Sequence, residues 1–424
     1  MSYKIDKIKE GINLHHIEVD KYKTNLLTVF LSLPIKRETV TLNTLIPAVL
    51  KRGTASLKTQ EEINKTLEEM YGATFDCGID KTGDNQVIKF YLETLNDSYT
   101  LGNEKILNKS IKLLLDLVFN PYVCNESFKT EYVQTEKENI KNLIEGKVDN
   151  KDTYALERCI EEMYKGKDYG IYKYGYVEDL SKINEKELYN HYLNLINTAK
   201  IDIFVSGDIK EDEILEAIKN NENIKKLNER NPKIAINNEQ TEVKEQVEIS
   251  EIKESKNITQ GKLVIGLDIG LNKEDAKYQN VIYNVILGES ATSKLFQNVR
   301  EKASLAYTAR SNYVRQKNNI YIRCGIEIEK YKQALEIIKQ QLVDMEEGNF
   351  AEEDLNNAKK YMEAGIKTVQ DEQDSELTYY FGQELSGKHT SFEEYIEKIN
   401  AVTKEDVLET AKNIKINTIY FLKN

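Results

Sequence analysis

The sequence predicts an α+β protein of two homologous domains. Each is an antiparallel-rich sheet packed against helices, and the pair is expected to close as a clamshell over a cleft. Three observations predict this. The chain has 424 residues, too many for one ordinary core. A long stretch of its first half reappears in its second. Both copies switch between helical and strand periodicity in the same order, the pattern of helices laid against a sheet.

The first copy reads "NTLIPAVLKRGTASLKTQEEINKTLEEMYGATFDCGIDKTGDNQVIKFYLETL" and the second "QNVIYNVILGESATSKLFQNVREKASLAYTARSNYVRQKNNIYIRCGIEIEKY". Each opens with an apolar helix, reaches a glycine (Gly53, Gly288) and enters a second helix. Each continues with a strand ("GATFDCGI", "AYTARSNY"), a polar turn and a second strand ("NQVIKFYLE", "NNIYIRCGIE"). The turns carry Gly83-Asp84-Asn85 and Lys317-Asn318-Asn319, residue types that favour reversal. Further on, "YVEDLSKINEKELYNHYLNLINTAKIDIFVSGDI" matches "FEEYIEKINAVTKEDVLETAKNIKINTIYFLKN". Each has a short helix, "KIN", an amphipathic helix and a final apolar strand. A repeat of this length marks a duplicated domain; solenoid periods are only about 20–50 residues. The polar run near residues 222–240, with Pro232, reads as the linker, which places the domains at 1–225 and 226–424.

Composition narrows the function. Charged residues make up 31% and the net charge is −12, which argues against a general nucleic-acid or anionic-membrane binder, since either needs a basic face. No stretch approaches the ~20 apolar residues of a membrane span. The start, "MSYKIDKIKEGINLHH", has no apolar h-region, so a cytoplasmic protein is expected. Cys77, Cys124, Cys159 and Cys324 show no C-x-x-C spacing, and reduced thiols are the plain reading. The four histidines are few for a metalloenzyme. His15 and His16 are adjacent, so in a strand they face opposite sides and form no ligand pair.

The two-fold α+β repeat, together with "LFQNVREKASLAY" in its second copy, resembles the pitrilysin/insulinase family of zinc peptidases, which includes the mitochondrial processing peptidases. The resemblance spans nearly the whole chain. It rests on Gly288, Leu295-Phe296, Val299-Arg300-Glu301-Lys302 and Leu305-Ala306-Tyr307, in that order. It implies an inverted zinc motif, H-x-x-E-H, on the first helix of the first half. Counting back from Gly53-Thr54, the motif positions are Thr44, Pro47 and Ala48. None suits the chemistry: Ala48 offers no donor, Thr44 is a poor zinc ligand and Pro47 has no carboxylate to act as general base. Because proline is tolerated in a first helical turn, the helix is expected to begin late, with Asn43 or Thr44 as its cap. The family's third ligand, a glutamate on a later helix, falls at Glu138 or, seven residues earlier, at Glu131. Glu138 matches better, as a relic. No metal is expected in this chain.

In the resembling family, Arg300 and Tyr307 correspond to residues of the half opposite the zinc. There they bind substrate backbone, and the tyrosine assists the oxyanion. Arginine presents a fork of donors to carbonyl oxygens, and a tyrosine hydroxyl can donate to developing negative charge. The plainer alternative is an arginine solvating a helix edge and a tyrosine packed on a sheet. In two-subunit members one protein carries the zinc half-site and its paralogue the Arg/Tyr half-site. The resemblance therefore implies a non-catalytic subunit that forms a heterodimer with an H-x-x-E-H-bearing paralogue and acts on a peptide bound at the partner's zinc; alone it could form a homodimer. A peptide-binding scaffold without catalytic role is the rival reading, and an independent zinc peptidase is a third.

Overall fold

The computed structural model describes residues 2–235, 248–271, 273 and 276–424. The chain opens with strands β1 (Ser2–Lys9), β2 (Ile12–Glu18) and β3 (Thr24–Pro34), then helices α1 (Val40–Leu50) and α2 (Gln60–Glu69). A hairpin follows, β4 (Thr74–Thr82) and β5 (Asn85–Leu95), then α3 (Leu107–Phe119) and a small ribbon, β6 (Val123–Cys124) with β7 (Ser127–Phe128). The first half ends with α4 (Thr130–Glu145), α5 (Lys151–Met163), α6 (Val177–Leu180), α7 (Glu185–Thr198), β8 (Lys200–Gly207), α8 (Glu211–Asn220) and α9 (Glu222–Lys226). The expected linker begins with α9 and extends beyond residue 235, outside the described residues.

The second half repeats this order. β9 (Ser250–Ser255) and β10 (Gly261–Ile269) lead into α10 (Ala276–Asn284) and two π-helical turns, Val285–Glu289 and Phe296–Lys302. The hairpin is β11 (Ala306–Val314) with β12 (Asn319–Ile326). Then come α11 (Tyr331–Glu346), α12 (Glu352–Asp371), α13 (Gln373–Ser386), α14 (Phe392–Ala401), α15 (Lys404–Lys412) and β13 (Ile414–Lys423).

The sheets express the duplication. The first has strand order β1-β2-β8-β3-β5-β4 and the second β9-β13-β10-β12-β11, so that, β1 aside, the two orders are the same. In each, one pair is parallel (β2 with β8, β9 with β13) and the other pairs are antiparallel. One face of each sheet holds the alternate apolar residues, such as Leu27, Val29 and Leu31 of β3 and Leu263, Ile265 and Leu267 of β10, against its helices.

The chain forms two compact units, and neither is a continuous stretch. The first joins residues 1–145 and 171–235 to 372–385; the second joins 146–170 to 236–371 and 386–424. Helix α5 therefore packs on the sheet of the second unit and α13, its counterpart in the repeat, on the sheet of the first. Tyr154, Ala155, Cys159 and Ile160 of α5, with Tyr164 just past its end, form an apolar cluster with Val264, Tyr321, Tyr420 and Leu422.

Helix α1 differs from expectation. It begins at Val40, with Thr39 at the N-cap position, so neither Asn43 nor Thr44 is the cap, and Pro47 lies in its interior. Burial explains this: ten of its eleven residues are buried, and packing on that scale offsets the ~3 kcal/mol penalty of an interior proline.

Candidate functional site

Thr44, Pro47 and Ala48, at the positions of a zinc motif, all lie buried on α1. Their surroundings are polar but closed. The Thr44 hydroxyl donates back to the Val40 carbonyl at 2.9 Å. Asn43 donates to Gln86 Oε1 at 2.8 Å, and Gln86 Nε2 donates to the carbonyls of Lys173 (2.8 Å) and Val40 (3.2 Å). The Cys77 thiol points at the Pro47 carbonyl, 3.3 Å away, and burial pushes it up to about 12, so it stays a protonated, inert thiol. His191 of α7 brings one imidazole to α1, its Nε2 2.6 Å from Asn43 Oδ1; burial lowers its pKa and favours the neutral ring. These donors and acceptors satisfy one another. The set does not fit zinc: it offers one imidazole, committed to an amide, and no carboxylate.

Glu138 and Glu131 lie exposed on α4, which turns Val133, Glu136, Ile140 and Ile144 inward. The carboxylate that reaches α1's end is Glu136, 1% exposed and paired with Arg52. A guanidinium thus balances the buried charge. Sequence reasoning missed Glu136, although it falls on the apolar stripe of Val133 and Ile140 at three- and four-residue spacing.

Among the described residues, one other group of three metal-capable side chains comes close together: His15, Asp202 and Glu384. His15 Nε2 stands 3.0 Å from Asp202 Oδ1, and the Tyr3 hydroxyl 2.9 Å from His15 Nδ1. The Lys200 ammonium already bridges the two carboxylates, 3.1 Å from Asp202 and 2.5 Å from Glu384. Burial works to raise the Asp202 carboxyl, but the His15 hydrogen bond and the Lys200 charge outweigh it and hold it below its usual range. An internal ammonium fills the place a cation would take.

The second half presents its motif differently. Val299 is buried inside the π-helical turn, while Arg300 leans over the Phe296 ring, 4.5 Å from its centroid, with its side chain 43% exposed. A π turn shifts the helix face by inserting a residue, a device common at functional sites. The chain then passes through Ser304 in the left-handed region (φ 52°) and enters β11, a costly conformation for a residue with a side chain. Gly288 lets the first π turn approach this strand: a Cβ there would meet Ser311 Oγ at 2.6 Å.

Tyr307 is the extra residue of a bulge. Ala306 pairs with Ile326 and Thr308 with Gly325, which leaves Tyr307 without an opposite residue. The bulge breaks the in–out alternation and turns the ring to solvent, 66% exposed. Strand β11 is an edge of its sheet. Among the described residues, no hydrogen bond reaches the Tyr307 hydroxyl and none joins it to Arg300. The arrangement can offer a peptide one hydroxyl donor and one guanidinium fork, the latter beside the Glu301 carboxylate, 3.6 Å from Arg300 Nε.

Residues 182–362 match the Peptidase M16 inactive domain. The chain is 32% identical over 427 residues, covering 100% of it and 99% of the relative, to the probable inactive metalloprotease YmfF of Bacillus subtilis. It is 28% identical over 152 residues, 35% of this chain and 36% of the relative, to the uncharacterised zinc protease YmxG of the same organism. A crystal structure of a conserved protein from Enterococcus faecalis superposes with a TM-score of 0.88 at 27% identity, covering 100% of this chain and 99% of that one. An α+β duplication, a zinc-motif helix without ligands and a full-length match to a probable inactive metalloprotease together place the chain in the M16 peptidase family, the pitrilysin/insulinase type.

Proposed function

We propose that this chain is the non-catalytic subunit of a two-component zinc peptidase. It supplies Arg300 and Tyr307 to a peptide held at the metal of an H-x-x-E-H-bearing paralogue, and zinc belongs to that partner alone. The observation that carries the reading is Tyr307: a bulge lifts its ring off the sheet, and among the described residues its hydroxyl has no hydrogen-bond partner. A tyrosine serving only to pack would lie in the alternation, buried. Arg300 supports the same reading, since its guanidinium lies over the Phe296 ring beside the Glu301 carboxylate while 43% of the side chain faces solvent. That Bacillus subtilis has both an inactive relative and a zinc protease relative of this chain is consistent with a pair.

In such a complex Arg300 would hold a substrate carbonyl before reaction. The Tyr307 O–H would donate to the carbonyl oxygen as it gains negative charge, and one donor so placed is worth about 3–4 kcal/mol. The test is to purify this chain with the zinc-motif paralogue of its own genome and to assay peptide cleavage by each protein and by the mixture. A stable complex whose cleavage depends on both subunits is expected. A paralogue equally active alone, or no association, would leave the scaffold reading in its place.

A further inference from the structure

Helix α13 is held on the first unit's sheet by a mostly polar seat. Gln373 Nε2 donates to the Ser206 carbonyl at 2.9 Å, and Asp374 pairs with Lys89 of β5 at 2.8 Å. Tyr380 stacks on Tyr3, centroids 4.0 Å apart, and Phe381 on Phe30 at 3.7 Å. Glu384 closes the far end on Lys200. Between Gln373 and Tyr380, on this same stripe, lies Glu376. It is 0% exposed, and among the described residues neither carboxylate oxygen has a hydrogen-bond partner. The Thr28 hydroxyl, on the sheet face that also carries Phe30, is likewise buried without a partner. A break in the helical backbone flanks each end: Glu372 separates α13 from α12, and Gly387, just past it, takes a positive φ of 66°.

We propose that α13 is a proton-dependent latch: it seats firmly on the sheet when the Glu376 carboxyl is protonated and loosens when that carboxyl ionises. An ionised carboxylate with no donor is among the most unfavourable groups to bury. A neutral carboxyl needs far less, and its O–H can use a neighbouring acceptor. The charged and titratable groups of the seat are Tyr3 on β1, His15 on β2, Lys89 on β5, Lys200 and Asp202 on β8, Lys21 before β3, and Asp374 and Glu384 on α13 itself. Lys89 is bound to Asp374, Lys200 to Asp202 and Glu384, and His15 to Tyr3 and Asp202. Lys21 and the N-terminal ammonium favour ionisation of Glu376, and burial outweighs both, pushing Glu376 up to about 7.

The sign follows. A released α13 exposes Glu376, whose carboxyl then titrates at its ordinary value of 4.5. The seated form binds the proton more tightly, so seating is strongest below that value and weakens as pH rises through about 7. Hydrogen–deuterium exchange on the full chain tests this, comparing peptides of α13 with peptides of α5 as an internal reference after correction for chemical exchange rates. Opening of α13 relative to α5 should rise on the order of a hundredfold between about pH 5 and pH 8. In Glu376→Gln, which keeps the shape without the charge, the ratio should be flat and α13 better protected at the alkaline end; Glu376→Leu should behave alike. A flat ratio in the wild type, or the wild-type slope persisting in either variant, overturns the proposal. Failure of one variant to fold leaves the other and the wild-type slope to decide.

Discussion

The repeat sets two regions side by side: α1 with strand β4 in the first half, and the π-helical turns with strand β11 in the second. They descend from one pattern and now differ in what they show to solvent. Around α1 every polar group faces another polar group of the chain: Asn43 and Gln86 together, Thr44 turned on its own helix, Arg52 on Glu136. At β11 an irregular turn, a left-handed serine and a bulge leave Arg300 and Tyr307 exposed. Where ligands are absent, side chains have closed on one another and support the fold. A left-handed residue does not itself set the second region apart, since Tyr71 ahead of β4 has a φ of 61°; the bulge at Tyr307 does, and the proposed function gives it a role.

This comparison predicts a double dissociation, with stability losses on one side and activity losses on the other. The largest effect belongs to Arg52→Ala, which strands the Glu136 carboxylate. Removing one partner of a buried pair should lower stability by about 3 kcal/mol, measured by chemical denaturation, while each folded molecule still supports cleavage in the complex. An unchanged denaturation midpoint would show that the first region is not held by this pair. Next comes Tyr307→Phe. It should leave melting and assembly intact and slow the complex about a hundredfold, mainly in kcat, because the bond strengthens as charge develops. A wild-type rate from an intact complex would remove the functional half of the comparison. Gln86→Ala opens the network over α1 and should cost about 2 kcal/mol in stability, with no change in substrate turnover; a turnover defect in fully folded protein would mean that α1 still takes part in chemistry. The smallest effect overall is that of Arg300→Ala, which should cost about 1 kcal/mol or less in stability for an exposed side chain. Its signature should be a raised KM. A loss seen only in thermal melting would return Arg300 to a packing role on Phe296.

Much of the fold was legible because apolar alternation is a strong signal. The hairpins β4–β5 and β11–β12 fall where "GATFDCGI", "NQVIKFYLE", "AYTARSNY" and "NNIYIRCGIE" place them. The start of α1 was not legible, since Pro47 argues locally for a late start and only the buried setting reveals why it is tolerated. Seats for α5 and α13 could not be read either: an amphipathic stripe announces that a face is buried but not which sheet buries it. At the site, the type and order of Arg300 and Tyr307 stood in the sequence, but the bulge that turns Tyr307 outward did not, because register is a property of two strands and "AYTAR" is only one of them. The spacing that singled out Glu138 and Glu131 could not show that α4 turns Glu136 inward instead.

The exchange of α5 and α13 bears on how such a chain could arise. Each unit borrows from the other half the helix that covers its sheet. A single ancestral half, expressed by itself, would have had a sheet face in need of a helix and a helix in need of a sheet. Two identical copies could satisfy both needs by trading that helix, as in a domain-swapped dimer closed by a two-fold axis. Gene duplication and fusion would then have joined an obligate pair rather than two self-sufficient domains. Once fused, the copies were free to diverge, and one could lose its chemistry while still lending a helix that its sibling cannot fold without.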